Sequence, residues 1–149
     1  MKKKVLILSA DQFGYLTDTL KYCEYGRGDF DITYVGWDYG RPRIDLDQVR
    51  IHYISRQQNI FIRNFNLLRA FHRQIRLGPD VIFANYTRGI SLVKLLNPRA
   101  DFILDIRTLG VNPNRFKRFI YDLFLKLELL FFRKVSVISE GIGKKLRLK

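Results

Sequence analysis

Asp105 and Arg107 stand two residues apart at the end of an apolar run, 101–106. On a strand that spacing puts both side chains on one face. A carboxylate beside a guanidinium suits a hydroxylated or phosphorylated ligand, because Arg can grip phosphate through two parallel hydrogen bonds. The same pair would equally serve as an ion pair finishing the strand. A second group, Asp11, Gln12, Phe13, Gly14 and Tyr15, follows the first apolar run. Gly14 would let backbone approach a phosphate at the start of a helix, or would simply make the turn. Asn85, Tyr86, Thr87 and Arg88 form a third group; Thr108, Leu109 and Gly110 extend the Arg107 group, and Ser139, Glu140 and Gly141 form a fourth.

Other chemistry is argued against by what is missing. Neither G-x-G-x-x-G nor a P-loop is present, which counts against a dinucleotide or ATP site. His52 and His72 have no ligand set at metal spacing, so no metal is expected and both read as structural. No Ser-His-Asp or Cys-His pattern is found. Cys23 is the single cysteine, which rules out an internal disulfide, fits a reducing compartment and predicts a small buried apolar residue. Arg27-Gly28-Asp29 reads as a turn.

The elements that must carry these groups follow from the patterning. Residues 5–10 form a short apolar run behind three lysines; it is too short for a signal h-region and predicts a buried strand. Helix is predicted over 16–25, 60–77, 88–96 and from 112 to about 132. Strands are predicted over 31–36, 49–54, 80–84, 101–106 and 134–138, with 49–54 nearer a sheet edge. Asn112-Pro113 is read as a helix start and Ser139 as the cap of a last helix still in progress at Lys149. Strands alternating with helices predict one α/β domain, 1–149, of three layers with a mainly parallel sheet of about six strands. In such a sheet ligands bind beyond the carboxyl ends of the strands, so the four groups should share one rim.

At 149 residues and 47% hydrophobic the chain can fold around its own core. Its formal net charge of +13 favours anionic partners: nucleic acid, acidic membrane or phosphorylated substrate. No stretch is long enough to span a bilayer. The helix 114–133 sets Phe116, Phe119, Ile120, Leu123, Leu127 and Leu130 on one face and Arg115, Arg118, Asp122, Lys126 and Arg133 on another. Phe124, Leu125 and Phe132 widen the apolar arc. With Arg69, Arg73 and Arg76 of the earlier helix, Arg115, Arg118 and Lys126 would face an anionic membrane; the alternative is a core helix with a solvated basic stripe.

The order of elements and three stretches, 80–86, 102–107 and 118–146, resemble the N-terminal, acceptor-side domain of family-4 GT-B glycosyltransferases. The resemblance covers nearly the whole chain. It implies a Rossmann-like fold, and a nucleotide-sugar donor held by a C-terminal domain that this chain does not match, with no cofactor bound by this half. The paired-glutamate donor motif has no counterpart here. Relatives often carry histidine at the position matching Arg107, and their glycine-rich first loop is reduced to Gly14. The resemblance implies sugar transfer to a saccharide or lipid-linked acceptor, in polysaccharide or glycolipid synthesis, at the cytoplasmic membrane face. Asp105 or Asp11 would assist as base. Gln12, Phe13, Gly14, Tyr15, Asn85, Tyr86, Arg88 and Arg107 would contact acceptor or phosphate. This half alone is expected to be inactive. The alternatives are a stand-alone membrane-recruiting subunit of a two-chain glycosyltransferase and, from charge alone, a nucleic-acid-binding protein, for which no motif is present.

Overall fold

The structure, a computed structural model, describes residues 1–109 and 113–146. The elements run β1 (Lys3–Leu8), α1 (Thr17–Gly26), β2 (Phe30–Asp38), β3 (Val49–Ser55), α2 (Ile60–Ile75), β4 (Val81–Asn85), α3 (Ile90–Leu96), β5 (Phe102–Ile106), α4 (Arg115–Leu129), β6 (Lys134–Val137) and α5 (Glu140–Leu146). Six strands form one sheet in the order β3-β2-β1-β4-β5-β6. All five neighbouring pairs are parallel. The expected three-layer α/β domain with a mainly parallel sheet is present, and β3 is an edge strand. The strand order reverses between β1 and β4, which is where a sheet of this kind opens a crevice for ligands.

Alternation along the strands builds a core on each face. Leu6, Leu8, Ile82, Ala84, Leu104 and Ile106 pack with Leu67 and Phe71 of α2, Ile90 of α3, and Leu125 and Leu129 of α4. The opposite face is a smaller cluster of Ile7, Ile32, Tyr34, Phe13 and Cys23. Its helix is α1; β2 and β3 are joined by residues 39–48 with no helix between them.

Several boundaries differ from expectation. β2 runs two residues beyond 36, α2 stops at Ile75 because Gly78 turns the chain at φ 73°, and α3 starts at Ile90 after Gly89 in the left-handed region. The cap of α4 is Asn114: its side chain accepts from the amides of Phe116 and Lys117 at 3.0 and 3.1 Å. Gly110, Asn112 and Lys149 lie outside the described residues. Ser139 does cap α5, accepting at Oγ from Ile142 N–H at 3.4 Å.

The buried stripe of α4 is also not the one its longest apolar row suggests. Leu125 and Leu129 enter the core, and Phe132 joins them just past the helix. Phe116, Phe119, Leu123, Leu127 and Leu130 are exposed. Leu125 and Leu129, one turn apart, suffice for packing beside α3, and the richer row is left in solvent.

Candidate functional site

The carboxyl ends of β1, β4, β5 and β6 carry a row of polar side chains on the α1 side of the sheet. Ser9 follows β1; Asn85 ends β4; Asp105 pairs in register with Asn85 on one side and Ser136 on the other. Ser9, Asn85 and Asp105 are buried. Burying such groups is costly unless they are hydrogen-bonded. Asn85 Nδ2 accordingly donates to Ser9 Oγ at 3.1 Å and to Thr19 Oγ1 of α1 at 3.2 Å. This seam ties the first helix to the point where the strand order reverses.

Arg107, just past β5, crowns the seam. Its guanidinium bonds the Asp105 carboxylate through Nε and the Asp18 carboxylate of α1 through Nη1. It also lies 5.5 Å from the Tyr22 ring centroid. Asp18 and Tyr22 are four residues apart, so one face of α1 supplies both. The Arg107 side chain is 17% exposed. Its Nη2, together with Asn85 Oδ1 and Thr87 Oγ1, is a buried polar atom with no hydrogen-bond partner among the described residues. The expected same-face pairing of Asp105 and Arg107 is present, and Asp105 is spent on orienting the guanidinium.

The first loop is built differently. Gln12 is buried, and its Nε2 donates to the Arg41 carbonyl at 2.8 Å while its Oε1 accepts from the amides of Tyr39 and Arg41 at 2.9 and 3.2 Å. Phe13 is a core residue packed edge-on against Tyr34 at 5.0 Å. Gly14 sits at φ 87°, and a Cβ there would come within 2.4 Å of Ile44 Cδ1, so the glycine makes room for the 39–48 loop. Gly36 of β2 instead makes room for the first loop itself: a Cβ there would meet the Asp11 carbonyl at 2.3 Å. Asp11 itself is exposed, its backbone carbonyl accepting from Tyr34 Oη at 2.8 Å. Tyr15 donates to the Pro42 carbonyl at 3.0 Å.

Arg41 then lies 4.9 Å from the Tyr15 ring and 5.6 Å from the Tyr39 ring, and Arg56 lies 4.2 Å from the Tyr39 ring. Sequence reasoning missed these arginines, and Ser9, Asp18, Thr19 and Tyr22 with them. The Asp18–Tyr22 spacing on a predicted helix was the one available signal; nothing local marks the 39–48 loop as a partner of Gln12.

The group after β4 splits. Asn85 joins the seam, whereas Tyr86 turns toward α4, packing edge-on against Tyr121 at 5.9 Å. Burial pushes the Tyr86 hydroxyl well above the usual tyrosine range. Arg88 stacks over Tyr121 at 5.2 Å. The amides of Gly89 and Ser91 donate to the Glu128 carboxylate of α4 at 3.0 and 3.1 Å. The start of α3 is thus already capped by an anion from the protein. Arg69, Arg73, Arg76, Arg115, Arg118 and Lys126 are all exposed. Among the described residues no helix is long and apolar enough to cross a membrane.

No protein-family model and no curated protein matches this chain. Solved structures do. A proposed UDP-N-acetylglucosamine 2-epimerase from Listeria monocytogenes is similar over 99% of the chain, with a TM-score of 0.60 and 14% identity; the chain spans 41% of that protein's length. A DNA/pantothenate metabolism flavoprotein from Streptococcus pneumoniae is similar over 93% of the chain and 83% of its own length, with a TM-score of 0.51 and 10% identity. At these identities the likeness establishes the fold, a Rossmann-like α/β domain.

Proposed function

We propose that this chain is the acceptor-side half of a family-4-like GT-B glycosyltransferase. The observation that carries the reading is Arg107, a cation set at the carboxyl end of a parallel sheet and aimed by Asp105 and Asp18. A guanidinium with an uncommitted Nη2 is suited to a phosphate or diphosphate on a saccharide acceptor. The epimerase neighbour supports a sugar-nucleotide setting through its own description, and the chain's 41% share of that protein leaves length for a second lobe there.

In this reading a C-terminal domain, in the same or a separate chain, holds the nucleotide-sugar. The acceptor hydroxyl attacks the anomeric carbon, and the nucleoside diphosphate departs with the bonding electron pair. Arg107 stabilises phosphate charge near the reacting groups. Asp11 is an exposed carboxylate on the same rim, not engaged with Arg107, and takes the hydroxyl proton; Asp105, buried and paired, positions Arg107. The experiment is titration of the chain with a short-chain polyprenyl-diphosphate monosaccharide, comparing wild type with Arg107→Ala.

A second reading, a non-catalytic recruiting subunit of a two-chain glycosyltransferase, is favoured by one feature. The exposed Phe116, Phe119, Leu127 and Leu130 of the α4 segment stand beside Arg115, Arg118 and Lys126. That pairing of apolar and basic side chains suits an anionic bilayer surface.

A further inference from the structure

A groove of about 570 Å³ runs between the edge strand β3 and α2, lined by His52, Ile54, Asn66, Arg69, Arg73 and Gln74, with Arg43 at its rim. A volume of this size holds a small ligand. Its lining includes no carboxylate. Arg43 is already engaged, donating to Asp38 at 2.7 Å and stacking 4.8 Å from Tyr53. Among the described residues Arg69 and Arg73 make no ion pair. They stand four apart on one helix face, where like charges repel. An anion between them would relieve that repulsion and receive two guanidinium forks, the geometry that suits phosphate oxygens. His52 adds a hydrogen-bonding group at the β3 wall, and Asn66 stands at the α2 wall with its Nδ2 donating to Gln58 Oε1 at 2.6 Å.

We infer that this groove is a second binding site, for a phosphate-bearing ligand. β3 and β5 are four strand spacings apart in the sheet, on the order of 19 Å at the usual separation, so the site is separate from Arg107. The phosphate can belong to a soluble phosphate ester or to a lipid headgroup; both present the same oxygens to Arg69 and Arg73.

The test is titration of the full chain with inorganic pyrophosphate, alongside flotation with phosphatidylcholine vesicles with and without phosphatidic acid. All measurements are made in the Arg107→Ala background, which removes the rim site, and two further changes are compared: Arg69→Gln/Arg73→Gln and Arg76→Gln. Arg76 lies on the same helix end but outside the groove, so it reports general charge loss. The expected result is saturable binding in the Arg107→Ala background that weakens at least tenfold on adding the double substitution and changes less than twofold on adding Arg76→Gln. Pyrophosphate binding identifies a soluble ligand; binding only to phosphatidic acid vesicles, with the same variant pattern, identifies a headgroup. Equal weakening on adding Arg76→Gln, no weakening on adding Arg69→Gln/Arg73→Gln, or no saturable binding in either arm overturns the inference. Circular dichroism of the double variant confirms that the fold is retained.

Discussion

At the scale of single residues, the rim is made of groups that hold one another in place before they hold anything else. Arg107 is oriented by two carboxylates, and Gln12 uses both ends of its amide on the 39–48 loop. Cys23 shows the opposite case, a reactive group made inert. It is buried on the sheet-facing side of α1, and desolvation, with Glu24 nearby, pushes its thiol up to about 12. The thiolate is the nucleophile, so a thiol reagent at pH 8 should label the native chain at least a hundredfold more slowly than the chain in denaturant; comparable rates would contradict this burial. The linkage has a definite sign. Above the ordinary thiol value the unfolded chain releases a proton that the folded chain keeps, so this contribution to stability is full at neutral pH and is lost as pH rises toward about 12. The Asp105–Arg107 pair was legible because strand alternation is local. The Gln12 and Ser9–Asn85–Thr19 contacts were not, because their partners lie 27 to 76 residues away.

At the scale of elements, α4 decides the most. Its Glu128 closes the first turn of α3 with two charge-assisted hydrogen bonds. Glu128→Ala should destabilise the fold by about 1–2 kcal/mol, the usual loss for an N-terminal cap; denaturant unfolding checks it, and a change within error would mean that those amides find water at no cost. Helix periodicity located α4 but could not select its buried face. A wide apolar arc offers two stripes, and the packing partner α3 chose Leu125 and Leu129. The same limit hid the Asn114 cap, since Asn112-Pro113 carries the stronger local pattern.

The unburied stripe has consequences for the whole molecule. Phe116 is 70% exposed and Leu130 80% on a chain of net charge +13. The chain should pellet with vesicles containing phosphatidylglycerol at low salt and release them as salt screens the attraction. Phe116→Ser/Phe119→Ser should weaken pelleting about fivefold, in keeping with removal of buried apolar area; no pelleting by wild type would sink the recruiting role. The mainly parallel sense of the sheet was readable because strand–helix alternation forces crossovers of one hand; the strand order, and the parallel β2–β3 pair with no helix between its strands, were not. Which rim groups converge was only half readable: β-strand ends place them near one another, but loop packing decides which turn inward.

The central claim is that Arg107 grips a phosphorylated acceptor at the carboxyl rim. Calorimetric titration with the polyprenyl-diphosphate monosaccharide is best done in the Arg69→Gln/Arg73→Gln background, which silences the β3–α2 groove. The account predicts one saturable site there, weakened at least tenfold by adding Arg107→Ala, a loss in keeping with one charge-assisted phosphate contact. Unchanged affinity after that third substitution, or no binding before it, would contradict it.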